Sequence, residues 1–134
     1  MSAQNNPIVW IVNEAGHPYD KIRNKRGFEN AELRPLTQDS INPLRPDRLT
    51  WDLAKGIVEY TQRDHYVLVS GTPTVNMLAG ILWLLQWGEM RLIQWNAISR
   101  EYEVTTIELE NFRRVLERQA NKSAFISATP EETP

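Results

Sequence analysis

Three hydroxyls and a glycine stand together in Ser70-Gly71-Thr72-Pro73-Thr74, directly after the apolar run Tyr66-Val67-Leu68-Val69 and directly before a long apolar segment closed by Gly88. A strand that turns into a helix through such residues gathers free backbone N–H groups and the positive end of the helix dipole at one point. Gly71 permits close approach of a ligand or of another backbone, and Ser70, Thr72, Thr74 and the amide of Asn76 offer neutral hydrogen-bond partners. An anion or a nucleotide phosphate suits that chemistry. The same residues also admit a purely local role, in which Gly71 makes the turn, Thr72 caps the helix and the others are solvated. No Walker-type lysine follows and no dinucleotide glycine pattern is present, which argues against an ATPase or a Rossmann dehydrogenase.

A second group of polar residues, Asn13 to Asp20, follows the run Ile8-Val9-Trp10-Ile11-Val12. If both runs are parallel strands of one sheet, Asn13, His17 and Asp20 reach the same edge as the Ser70 turn. His17, with an ordinary pKa near neutrality, is the candidate general acid or base, and Asp20 is its companion. The competing reading of His17 is a hydrogen-bonded surface histidine. A metal site would need a third ligand that the sequence does not supply, so neither metal nor other cofactor is expected. His65, at the head of a strand, has weaker company. Lys21, Arg23, Lys25 and Arg26 could clamp a phosphate, but Glu14, Asp20 and Glu29 lie close by and favour a solvated loop.

The octapeptide Ser70-Gly71-Thr72-Pro73-Thr74-Val75-Asn76-Met77 resembles the Gly-Thr-Pro turn, followed shortly by Met, of CARF domains, the Rossmann-like sensors of cyclic oligoadenylates in CRISPR systems. The resemblance covers about ten residues. It implies a homodimer with the ligand bound across the two-fold axis and Gly71, Thr72, Pro73 and Asn76 lining the pocket.

Ile8–Val12 and Tyr66–Ser70 are continuous, β-branched and apolar on both faces, as strands covered on both sides of a parallel sheet are. Glu32–Thr37 alternates, but Pro35 cannot donate to a ladder, so a strand here must lie at an edge. Between these segments, residues 14–30 suit either a short helix or an ordered loop. Leu49, Leu53 and Ile57 recur at helical spacing and predict a helix over about Asp47–Gln62 with Asp52, Lys55, Glu59 and Arg63 outward. Pro73–Trp87 is apolar almost all round, which requires cover on more than one side. Met90–Trp95 and Glu101–Ile107 both alternate and suit a hairpin joined by five residues. Leu109, Phe112, Val115 and Leu116 then predict a last amphipathic helix, acidic early and basic later, in accord with its dipole. From Asn121 the sequence has little to bury and reads as a disordered tail over 121–134.

These elements predict one α/β domain over 1–120, a three-layer Rossmann-like sandwich with a mixed, mainly parallel sheet and a C-terminal hairpin plus helix. The 134 residues leave no room for a second domain. A net charge of −2 gives no reason to expect nucleic-acid or anionic-membrane binding. No cysteine is present, which excludes thiolate catalysis and disulfides and suits a reducing cytoplasm. Met1–Pro7 lacks the pattern of a secretory signal, and no apolar stretch is long enough to span a bilayer. Five tryptophans are many for this length, and Trp51, Trp83 and Trp87 are candidates for a self-association face, Trp83 alternatively for the core. The function expected first is a binding module for a nucleotide or other phosphate-bearing ligand, using Asn13, His17, Ser70, Gly71, Thr72, Thr74 and Asn76. A non-catalytic interaction or structural subunit, working as an oligomer such as a homodimer, is the alternative. A hydrolase or phosphodiesterase using His17 and Asp20 comes third, because no nucleophile–base pair is visible at short spacing.

Overall fold

The computed structural model describes residues 6–13, 19–37 and 44–128, the side chains of 125–128 excepted. Strand β1 (Ile8–Asn13) is followed by a 3-10 helix (Asp20–Asn24), β2 (Glu32–Thr37), α1 (Pro46–Tyr60), β3 (Tyr66–Leu68), α2 (Pro73–Trp87), β4 (Glu89–Asn96), β5 (Glu101–Glu108) and α3 (Leu109–Ala128). The strands form one sheet in the order β2-β1-β3-β4-β5. All are parallel to their neighbours except β5, which runs antiparallel to β4. This is a Rossmann-like α/β sandwich with a mixed, mainly parallel sheet and a terminal hairpin. Pro35 is tolerated because β2 is an edge strand, paired on one side only.

Crossover handedness decides what covers each face. The step from β1 to β2 runs one way across the sheet, and those from β2 to β3 and from β3 to β4 run the other way. Right-handed connections therefore place residues 19–31 on one face and α1 with α2 on the opposite one. On the helical face, Trp10, Val12 and Val67 of the sheet meet Leu49, Leu53 and Ile57 of α1 and Val75, Ala79 and Trp83 of α2. The other core joins Val9, Ile11, Leu68 and Ile93 to Tyr19, Ile22, Phe28 and Ala31. The third layer is thus a single 3-10 turn and its flanking loop. That resolves the choice between a short helix and a loop, because Ile22, Phe28 and Ala31 are too widely spaced to form one helical stripe.

Four expectations need correction. Strand β3 ends at Leu68, two residues early, because the backbone of Ser70 is engaged by Asn76 and not by a neighbouring strand. Helix α1 begins on Pro46, which needs no N–H in the first turn, and ends at Tyr60. The hairpin strands each gain a residue or two, leaving four residues between them, and the Asn96 side chain accepts the N–H groups of Ile98 and Ser99 to close the turn. Finally, α3 continues to Ala128, so residues 121–128 are helical where a disordered tail is expected; once the helix is nucleated at Leu109, each further residue adds one backbone hydrogen bond. Residues 129–134 lie outside the described residues.

Candidate functional site

In this strand order the connections from β1 and β3 leave toward opposite faces, which opens a crevice at the carboxyl ends of these two strands. Asn13 ends β1, and the turn from Ser70 to Thr72 follows β3. Gly71 has a φ of +87°, and a Cβ built there would lie 2.6–2.9 Å from the side chain of Asn13. Both conformation and contact require glycine, and Asn13 and Gly71 fill the crevice with each other.

The Asn76 amide is similarly committed. Its Oδ1 accepts the N–H of Ser70 at 3.1 Å, and its Nδ2 donates to the carbonyls of Ser70 and Thr72 at 2.8 and 2.9 Å. One side chain in the first turn of α2 therefore holds the whole strand-to-helix connection. Thr72 occupies the N-cap position but makes no side-chain capping bond, contrary to expectation, because Asn76 has taken over the turn. Thr72 and Thr74 are exposed. Ser70 is buried, and its hydroxyl is hydrogen-bonded to that of Tyr19.

Beside this turn lies an open cavity of about 580 Å³, lined by Tyr19, Lys21, Ser70, Gly71, Trp95 and Tyr102 among others. The Lys21 ammonium sits 5.5 Å from the centre of the Trp95 ring, and Trp95 meets Tyr102 edge to face at 5.1 Å. Burial, with Tyr19 nearby, pushes the Tyr102 phenol above its usual pKa, so it stays neutral and able to donate. Of the sequence candidates, Ser70 and Gly71 line this cavity and Asn13 backs onto it through Gly71. His17 lies outside the described residues. Asp20 is exposed and paired with Arg23 at 3.0 Å. No group of three His, Asp or Glu able to hold a metal occurs among the described residues. Sequence reasoning passed over Tyr19, Trp95 and Tyr102 as site residues, since only the pairing of β4 with β5 and the packing of the 3-10 segment bring them together.

At the opposite sheet edge, His65 is more than the head of a strand. Its Nδ1 accepts the Trp10 indole N–H at 2.9 Å and the Gln62 backbone N–H at 3.2 Å, so the neutral ring carries its proton on Nε2. Burial, opposed in part by Asp64 and aided by Arg34, holds its pKa below the usual value.

A further feature is apolar. Helix α2 contains no charged residue, and its outward stripe Met77, Ile81 and Leu85 is 67%, 53% and 65% exposed. Trp51 and Val58 are also exposed on the neighbouring α1. Trp83 is fully buried at the centre of the core, and the half-buried Trp87 donates its indole N–H to the Thr61 hydroxyl, so of the three tryptophans expected on a self-association face only Trp51 is exposed.

No curated protein and no solved structure matches the chain significantly. One family does match, over residues 7–109, a span that takes in the whole sheet with α1 and α2. A match to well over half of the chain establishes membership: the protein belongs to the phage Pam3 gp32-like protein family.

Proposed function

We propose that this protein is a non-catalytic, self-associating interaction subunit that docks through the outer face of α1 and α2. The observation that carries this reading is the bare stripe Met77–Ile81–Leu85 on a helix without a single charge. Covering the part of each such side chain still exposed contributes about 1–2 kcal/mol, and apolar patches of this kind mark protein contacts. The test combines sedimentation velocity with thermal melts over a range of protein concentration. The wild type should sediment as an oligomer, and its Tm should rise by several degrees over a hundredfold concentration range, as mass action requires. Ile81→Glu should give a folded monomer whose Tm ignores concentration. A wild type that is monomeric throughout, with Ile81→Glu indistinguishable from it, would sink the reading.

A second reading rests on the carboxyl-edge cavity. Lys21 supplies a cation, Trp95 and Tyr102 an aromatic platform, and the Ser70–Gly71 turn leads into the positive end of α2. A nucleotide or other phosphate-bearing small molecule, the class that the CARF resemblance also implies, fits those groups. Adding AMP or inorganic phosphate to the same melts separates the readings. A shift in the wild type that Lys21→Glu abolishes favours the ligand, and no shift at millimolar concentration excludes these two probes.

A further inference from the structure

We propose that α3 is an exchanged arm, whose apolar stripe covers the α1–α2 face of a second copy of this chain. The inference rests on the reading of that face as a docking surface and names what docks there. Helix α3 has the opposite problem to α2. Residues 110–124 are all exposed, and the main contact of α3 with the rest of the chain is with β5. Yet it carries an apolar stripe in Leu109, Phe112, Val115 and Leu116, with Phe112 46% and Leu116 69% exposed. Most of a helix's stability in a protein comes from packing an apolar face, and the stripe of α3 has almost no such packing within its own chain.

The two bare surfaces match. At a rise of 1.5 Å per residue, α3 spans about 30 Å and α2 about 22 Å, so the arm is long enough to cover the stripe from end to end. Residues 77, 81 and 85 form an i, i+4 ridge, and the 109, 112, 116 spacing on α3 is the alternating three–four pattern that seats such a ridge.

The arm also starts in the right place. The N–H of Leu109 donates to the carbonyl of Gly88, the residue that closes α2. Each arm thus leaves its own domain beside one end of its own bare stripe, and a two-fold axis near that end lays each α3 along the other copy's α2. Two copies satisfy two bare faces and two arms, a closed arrangement. Association through the free edge of β5 is the less favourable route. In antiparallel self-pairing of Glu101–Glu108, the strand ends bring Glu101 toward Glu108, and Glu103 adds a further like charge.

The absence of native cysteine allows a direct test in the full-length chain. Chains carrying Ile81→Cys are mixed with mass-tagged chains carrying Leu116→Cys and oxidised mildly. The expected main product is the mixed disulfide, and a separate Leu116→Glu chain should associate about tenfold or more weakly than wild type while keeping its helical spectrum. If the wild type is oligomeric and Ile81→Glu disperses it, but the disulfides join Ile81→Cys to itself or Leu116→Glu associates normally, the arm proposal is overturned while the docking face stands. If the wild type is monomeric, both fall together.

Discussion

Asn76 shows how a polar side chain that looks available in sequence can be spent within its own turn. Three hydrogen bonds tie its amide to Ser70 and Thr72, so removing it leaves a partly buried donor and two carbonyls without that partner. Asn76→Ala should therefore cost about 1–3 kcal/mol, read as a lower urea midpoint with faster amide exchange at Ser70. A neutral substitution would mean that water replaces the amide without loss. His65 makes the complementary point. Its folded pKa lies below 6.5 because burial disfavours the charged ring, and protonation at Nδ1 would break the bonds from Trp10 and Gln62. The unfolded chain thus takes up a proton that the folded chain resists. The contribution is fully present above pH 6.5 and declines as pH falls from there toward the folded pKa. Urea midpoints should drop over this window in the wild type and flatten in His65→Gln, whose carbonyl can still accept the Trp10 N–H; equal slopes would assign the drop to other groups.

At the scale of elements, α2 determines most of the packing. Val75, Ala79 and Trp83 face the sheet and are essentially inaccessible, while Met77, Ile81 and Leu85 face away from it. Trp83 sits at the centre with its indole N–H lacking a partner among the described residues. Its apolar bulk and its N–H therefore act in opposite directions. Trp83→Ala should lose about 3–5 kcal/mol through the cavity it leaves. Trp83→Phe should cost less than about 1.5 kcal/mol, since the unsatisfied donor goes with the lost volume. Chemical denaturation at a single protein concentration measures both, and equal costs would show that the N–H is satisfied by ordered water. The glycines at the two ends of this connection act alike, since Gly71 and Gly88 both have positive φ, and each lets the chain reverse where a side chain would be strained.

For the whole molecule, the strand runs, the helical periodicities and the edge position imposed by Pro35 were legible because each depends on residues close in sequence. The turn at Ser70–Thr74 was legible as a special place for the same reason. Other properties depended on residues far apart. Asn13 meets Gly71 across 58 positions, and Lys21, Trp95 and Tyr102 share a cavity only because β1, β3, β4 and β5 take their observed order. Pattern alone could not say which side of an all-apolar helix would be left bare, since every face of α2 reads as core. The sequence by itself determined the elements, the α/β class and the place where the chain turns from β3 into α2, through local propensity and periodicity. Only the tertiary structure decided that Asn76 serves the turn, that Trp83 is core and that Met77, Ile81, Leu85 and the stripe of α3 are left uncovered, because burial belongs to the assembled layers and to no segment alone.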